Sequence, residues 1–256
     1  MKFYILSLAA VSLLAFPGCK KEPEPVTDAT PATSLTLSFR NRVDADPLVI
    51  GGPNHYLNAL GDSFYVTTFN YYITNIKLTD ASGNTWAEPE SYHLILATQP
   101  GSLSFTMHGM PEANYTSIEY MIGVDSTRNV SGAQTGDLDP IKGMFWTWNT
   151  GYIMAKFEGK SPSSTAPSNN LVFHVGGYGG NRATQRVVNP SFNSLTANVS
   201  AGATPVIHID CNVNEWFRTP TAIDFSVTNN VASSGPAAMT IADNYSDMFT
   251  VTGIDN

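Results

Sequence analysis

Cysteine is scarce in this sequence: its 256 residues include only Cys19 and Cys211. We expect Cys19 to carry a lipid, for reasons given below, so Cys211 has no intrachain partner. A domain held together by disulfides is thereby excluded, and stability must come from a hydrophobic core, which a chain of this length can supply. Cys211 lies on the apolar side of its segment and is expected to be a buried, inert thiol.

Charge is also scarce, and basic charge especially so. Lys and Arg number 13 against 21 Asp and Glu, which gives a net charge of −8. Nucleic acid and anionic membrane surfaces are therefore not expected partners, whereas small ligands, cations and proteins are. The sequence also has no G-x-S-x-G elbow, H-E-x-x-H helix, P-loop or C-x-x-C pair, so no motif supports an enzyme. We predict a protein without catalytic turnover.

Long apolar runs are limited to one, residues 3–16, which follows the basic Lys2 and is too short to span a bilayer. Gly18 provides the small residue that lipoprotein signal peptidases need directly before Cys19. Residues 1–18 are therefore expected to be a lipoprotein signal peptide, with Cys19 as the lipid anchor. Ordinary cleavage nearby is the alternative.

Residues 19–33 are rich in Pro, Thr and charge, and cannot bury enough apolar surface to fold. They are expected to form a lipidated, flexible tether to one domain over residues 34–256. The charged cluster Lys20–Glu22 resembles the surface-export signals of Bacteroidetes lipoproteins. The expected location is the cell envelope, anchored to the outer membrane by lipid alone, on its periplasmic face or at the cell surface.

A period of two begins at Ser34 and recurs to the end of the chain. Leu35, Leu37 and Phe39 share one side of an extended segment, which is typical of a half-buried strand. About ten such segments, interrupted by 20 Gly and 16 Pro, favour an all-β fold. We predict a single antiparallel, Greek-key-like β-sandwich domain.

Two of the five histidines lie on polar faces of predicted strands. His174 lies opposite an apolar set in its segment, and His208 shares its polar face with Asp210. Imidazoles held on rigid strands suit copper or zinc, so we predict that His174 and His208 lie close together and form a metal site. The alternative is that both are solvent-facing strand histidines without a ligand role.

A tryptophan-rich segment offers further candidates. Trp146 and Trp148 share one face of an extended run with Met144, and packing of large aromatics in a core is the common use of such a pattern. A functional interpretation makes the two tryptophans an apolar or redox-active wall beside a site. Met144 or Met154 would then offer a thioether to Cu(I).

Several sequence blocks together resemble the MbnP-like domain family. In chain order these blocks are Tyr71–Leu78, Gly123–Ser126, Leu138–Pro140, Gly143–Tyr152, Phe173–Gly177 and Asn244–Phe249. The resemblance implies an exported β-sandwich related to methanobactin-associated and methanotroph copper-binding proteins, with a dihaem oxidase of the MauG type as partner. In the family's copper-binding relatives, copper lies between two histidines and a tryptophan that is oxidised to kynurenine. That tryptophan stands two residues before one of the histidines.

On that resemblance the matching histidines are His174 and His208, but Val172 stands where the oxidised tryptophan would be. Trp146 or Trp148 could reach the same face instead, or this branch could have changed or lost the metal. The leading hypothesis is copper binding or copper handling without catalytic turnover. The alternatives are a metal-free surface module that binds a protein or glycan through exposed Tyr and Trp, and a protein whose Trp146 or Trp148 is the target of an oxidising haem partner.

Overall fold

The computed structural model describes residues 33–52, 55–132, 134–149 and 151–256. These residues belong to one compact unit, Pro31–Asn256. The expected signal peptide, the Cys19 anchor and the tether up to residue 32 lie outside the described residues. Within the described ranges, no helix is long and apolar enough to cross a membrane.

Most of the described chain forms strands. In chain order they are β1 (Ser34–Val43), β2 (Asp46–Pro47), β3 (Tyr56–Leu57), β4 (Ser63–Asp80), β5 (Thr85–Ala87), β6 (Tyr92–Leu96), β7 (Ser104–His108), β8 (Ala113–Ile122), β9 (Phe145–Trp146), β10 (Gly151–Lys160), β11 (Asn170–Gly176), β12 (Arg186–Val188), β13 (Ala197–Val199), β14 (Val206–Asn212), β15 (Asn230–Val231) and β16 (Phe249–Asp255). Two α-helices, α1 (Ser126–Asn129) and α2 (Pro236–Tyr245), interrupt them. Short 3₁₀ turns cover Pro100–Ser102, Gly136–Leu138, Pro140–Lys142, Pro167–Asn169, Gly180–Arg182 and Val213–Phe217.

The strands form two sheets. The first has the order β16-β14-β1-β2, with β7 also paired to β1. The second follows β12-β8-β4-β10-β11-β15, and β3, β5, β6, β9 and β13 attach to its members. The prediction of an all-β, single-domain sandwich is confirmed. The pairing is mixed rather than purely antiparallel, because β1 runs parallel to β14 and β11 runs parallel to β15.

The main core lies between the two sheets. Leu35, Leu37 and Phe39 of β1 are at most 3% exposed and face the second sheet, as their alternation predicted. The Phe39 and Phe249 rings of the first sheet lie 6.2 and 5.5 Å, centroid to centroid, from Tyr71 of the second. Aromatic packing across the sandwich therefore joins the sheets.

The second sheet is covered on both faces. Along β4, four consecutive residues from Tyr71 to Thr74 are fully buried, whereas a strand with one wet face would alternate. The side chains on its outer face belong to a separate hydrophobic cluster, which we call the outer core. Its members are Tyr72, Leu94, Val124, Leu138, Met144, Trp146, Tyr152, Ile153 and Met154.

Helix α2 was not among the sequence-based expectations. It begins at Pro236, a residue that suits the first helical position because its nitrogen has no hydrogen to leave unpaired. Its buried residues Ala238, Ile241, Ala242 and Tyr245 follow the helical spacing of three and four. That spacing is the signal that could have identified the helix.

Candidate metal site and neighbouring cleft

Four of the sequence blocks that carry the family resemblance contribute residues to the outer core: Tyr71–Leu78, Gly123–Ser126, Leu138–Pro140 and Gly143–Tyr152. The Tyr72 and Tyr152 rings meet edge to face at 5.8 Å, and their hydroxyls donate to backbone carbonyls of the 136–138 turn. The Tyr152 hydroxyl reaches the Leu138 carbonyl at 2.7 Å. These contacts fix the Trp-containing segment 143–149 against the outer face of the second sheet.

Met154 is fully buried in the outer core. Its sulfur accepts a hydrogen bond from the Val124 backbone N–H at 3.1 Å. Gly123 has φ +109°, and a Cβ there would stand 2.8 Å from the same sulfur. Only glycine permits this approach. Met144 is also buried, at 1% exposure. Both predicted thioethers therefore lie inside the outer core.

His174 lies on the outer face of the second sheet, on the polar side of β11 as predicted. Its Nε2 lies 2.7 Å from Oε1 of Glu158, whose Oε2 accepts a hydrogen bond from Thr68 at 2.9 Å. Lys156 approaches the same carboxylate at 3.6 Å. Within the described residues, Nδ1 of His174 makes no hydrogen bond. Metal-ligating histidines commonly have this arrangement: a carboxylate holds one ring nitrogen, and the other nitrogen is available to the metal.

The pKa of the Glu158 carboxyl falls from 4.5 to about 2, mainly because His174 hydrogen-bonds to it, against the opposing effect of burial. A carboxyl whose pKa is lowered by folding stabilises the fold above its unfolded pKa, and this stabilisation is lost as pH falls through the folded value. We therefore expect Glu158→Gln to flatten the pH dependence of the free energy of unfolding between about pH 4.5 and about 2. Denaturant titrations across this range measure the slope.

The matched control for that measurement is Glu119→Gln, which removes a carboxylate from the Lys77 ion pair at 2.8 Å elsewhere on the sheet. Glu119→Gln should keep the decrease in the free energy of unfolding at low pH that is assigned to Glu158. An unchanged slope in Glu158→Gln would contradict the assignment.

Trp146 packs against the strand that carries His174. A Cβ at Gly176 would stand 2.6 Å from the Trp146 ring, so the indole lies directly on that glycine. Gly176 follows His174 by two residues on β11, which corresponds to roughly 7 Å along a strand. Trp148, at 66% exposure, packs against Trp146 with ring centroids 5.6 Å apart. The outer face of the second sheet thus combines an imidazole with a tryptophan pair.

His208 lies elsewhere. It projects from the outer face of the first sheet, on the polar side of β14 as predicted, and its Nε2 lies 2.8 Å from Asp255. Asp210 shares that face and is held by Arg40 at 2.7 Å and Arg42 at 3.0 Å. The carboxylate of Asp210 is therefore already paired with two guanidinium groups.

The structure does not bring His174 and His208 together. Each projects away from the main core, and packed sheets are themselves about 10 Å apart. One ion with bonds of about 2 Å to each nitrogen cannot reach both. The reason is that alternation identified the polar face of each strand correctly but not the sheet to which each strand belongs. Among the described residues, no group of three or more His, Cys, Asp or Glu side chains is placed to hold a metal ion.

Cys211 is fully buried in the main core and is a free thiol. Burial raises the pKa of this thiol well above its ordinary value. A buried thiol of this kind remains protonated, so the prediction that Cys211 is a buried residue is confirmed and its chemistry is that of a small apolar side chain.

A cleft of about 290 Å³ adjoins the tryptophan pair. Trp146 and Tyr152 form its wall on the side of the outer core, and the glycine-rich loop after β11 forms the opposite wall. The remaining lining residues are Asn149, Gly151, Gly177, Tyr178, Gly179, Arg182 and Ser234.

Comparison with known proteins decides the family. A family model of MbnP matches residues 32–239. The chain belongs to the MbnP family. Among solved structures, MbnP from Methylosinus trichosporium matches with a TM-score of 0.56 and 15% identity, over 86% of this chain and 98% of that chain. At this identity the structural likeness shows a shared fold. Among curated proteins, no match to the chain is found.

Family membership confirms the resemblance drawn from the sequence blocks. Sequence reasoning missed Glu158, although it alternates with Lys156 on the polar side of a recognised strand. It also missed Gly176, whose absent side chain lets Trp146 approach the His174 strand. A glycine within a strand pattern is a known sign of close approach and could have indicated this contact.

Proposed function

We propose that this MbnP-family protein is an exported lipoprotein of the cell envelope that binds copper without catalytic turnover. The observation that carries the copper proposal is that His174 lies on β11 two residues before Gly176, the residue that Trp146 covers. The imidazole is oriented through Nε2 by Glu158 and has Nδ1 free, and the indole lies over Gly176 two residues further along the same strand face. Imidazole nitrogen is a good copper ligand, which fits this donor.

Trp146 and Trp148 take the place of the family's oxidised tryptophan in this proposal, because Val172 cannot supply it. Trp146 is 5% exposed, whereas Trp148 is 66% exposed and in ring contact with it. An oxidising dihaem partner of the MauG type would meet Trp148 first, and Trp146 next. Oxidation of either side chain to kynurenine by this partner, with peroxide as the oxidant and loss of one indole carbon as formate, would expose an aromatic amine as a second candidate donor.

Purification of the mature protein from its native host tests the whole proposal. We expect metal analysis to find copper, and intact mass to show acyl chains on Cys19 and a changed mass on one tryptophan-containing peptide. Each readout is independent: an unacylated mature protein contradicts the anchor, and an unmodified Trp contradicts the oxidising partner. Absence of copper from such protein, combined with no uptake of Cu(I) in vitro, contradicts the copper proposal.

A second candidate is a metal-free interaction module at the envelope. It is supported by three large apolar side chains that the segment over the outer core exposes to solvent. These are Val130 at 67%, Ile141 at 88% and Trp148 at 66% exposure. Exposed apolar side chains of this size are typical of contact surfaces when they form a patch. Native protein without copper but with a co-purified partner that Trp148→Ala releases would favour this function.

A further inference from the structure

The cleft beside Trp146 carries an unpaired positive charge. Ten Lys and Arg side chains lie in the described residues, and eight of them form ion pairs with carboxylates. Within those ranges Lys160 and Arg182 have no such partner, and Arg182 lines the cleft. No lining residue is acidic, although the protein as a whole has a net charge of −8. The cleft is therefore suited to an anion.

The loop that presents Arg182 is fixed by hydrogen bonds. The Thr184 backbone N–H and hydroxyl both donate to the Gly177 carbonyl, at 2.9 and 3.1 Å. The Ser126 hydroxyl donates to the Tyr178 carbonyl from the opposite side. At Gly177, φ is +135° and a Cβ would stand 2.2 Å from the Arg182 carbonyl. Only glycine fits at this position, so the loop conformation depends on it.

The lining of the cleft favours a ligand that contains a ring. Tyr178 provides a half-buried aromatic ring, whereas Trp146 and Tyr152, at 5% and 1% exposure, contribute only their edges. A volume of about 290 Å³ is at the small end of ligand sites. The Asn149 amide and the Ser234 hydroxyl add hydrogen-bonding groups. An aromatic acid would use the Tyr178 ring and the guanidinium but would give the Asn149 amide and the Ser234 hydroxyl no partner on the ligand. A simple anion would leave the Tyr178 ring uncovered.

We propose that this cleft binds a carboxylate-bearing sugar of the uronic acid class. The carboxylate pairs with the Arg182 guanidinium, whose planar fork matches carboxylate geometry. The apolar face of the pyranose packs on the Tyr178 ring, and its hydroxyls meet Asn149 and Ser234. This site shares Trp146 with the copper proposal but uses neither His174 nor Glu158.

Titration of chelator-treated mature protein with methyl glucuronide, followed by tryptophan fluorescence and calorimetry, tests the site. We expect saturable binding that is about tenfold weaker for neutral methyl glucoside, because a charge-assisted hydrogen bond is lost. Benzoate and acetate should bind more weakly than the glucuronide. No saturable glucuronide binding, equal affinity for the glucoside, or tighter binding of benzoate or acetate would overturn the proposal.

Arg182→Gln is expected to weaken glucuronide binding about tenfold and to leave glucoside binding unchanged. Arg182→Lys keeps the charge but loses the planar fork, so its affinity should fall between the two. Lys160→Gln is the matched control, because it removes the other unpaired cation from outside the cleft, and it should bind as the parent does. Copper uptake should persist in Arg182→Gln, which separates failure of this site from failure of the copper site.

Discussion

Truncation of Phe157 to alanine is expected to lower the free energy of unfolding by about 3–5 kcal/mol. Phe157 is fully buried on β10, the strand that joins β4 to β11 in the second sheet. Its ring lies 5.1 to 6.1 Å, centroid to centroid, from the rings of Phe64, Phe173, Trp216 and Phe217. A cavity at this point removes contacts from both neighbouring strands and from the turn Val213–Phe217 together. Urea unfolding of the mature domain measures the loss.

Val227→Ala serves as the control for this truncation. Val227 is 77% exposed, so its removal should change the free energy of unfolding by no more than about 0.5 kcal/mol. A loss below about 1 kcal/mol in Phe157→Ala would mean that the aromatic cluster collapses around the cavity, which contradicts a closely packed core.

Replacement of His174 by alanine is expected to reduce Cu(I) affinity by more than roughly 100-fold, because even the partner behind a metal ligand is worth about 10–100-fold. The variant removes the proposed nitrogen donor while leaving the strand intact, since the imidazole lies on the outer face of β11 and not in the main core. Competition with a chromogenic Cu(I) chelator measures the affinity of the chelator-treated, reloaded protein.

His208→Ala is the matched control. His208 is also a strand histidine held by a carboxylate, but it projects from the opposite face of the sandwich, next to Asp255. Its copper affinity should equal that of the parent protein. Equal losses of Cu(I) affinity in both variants would require the two imidazoles to share an ion. Unchanged Cu(I) affinity in His174→Ala would contradict the proposed site.

The alternation around His174 and His208 predicted the face of each strand on which the histidine lies, but not the sheet to which the strand belongs. Alternation with Phe173 and Ile207 correctly put each histidine on a polar face. It could not show that β11 belongs to the second sheet and β14 to the first, because alternation repeats every two residues in any strand. The pairing of the two histidines was predicted from their polar faces and from the family resemblance, and the geometry of this chain does not reproduce it.

Trp146 and Trp148 show a second limit. Their alternation with Phe145 and Thr147 predicted a shared face, and the two rings are indeed in contact. Trp146 is in the outer core and Trp148 is in solvent, so the two have different environments. That difference arises from the loops that fold over the second sheet, which leave no period in the sequence.

The amino-acid sequence by itself determined the all-β class, the family, the inward faces of strands such as β1, and the lack of a disulfide in the domain. These follow from local pattern, block order and residue counts. Only the tertiary structure decided that β1 runs parallel to β14, that a second core covers the outer face of β4, and that Arg182 and Trp146 line the same cleft. The physical reason is that these features arise from contacts between segments far apart in the chain. Such contacts form where surface is buried and backbone groups are paired, whatever the local period of each segment.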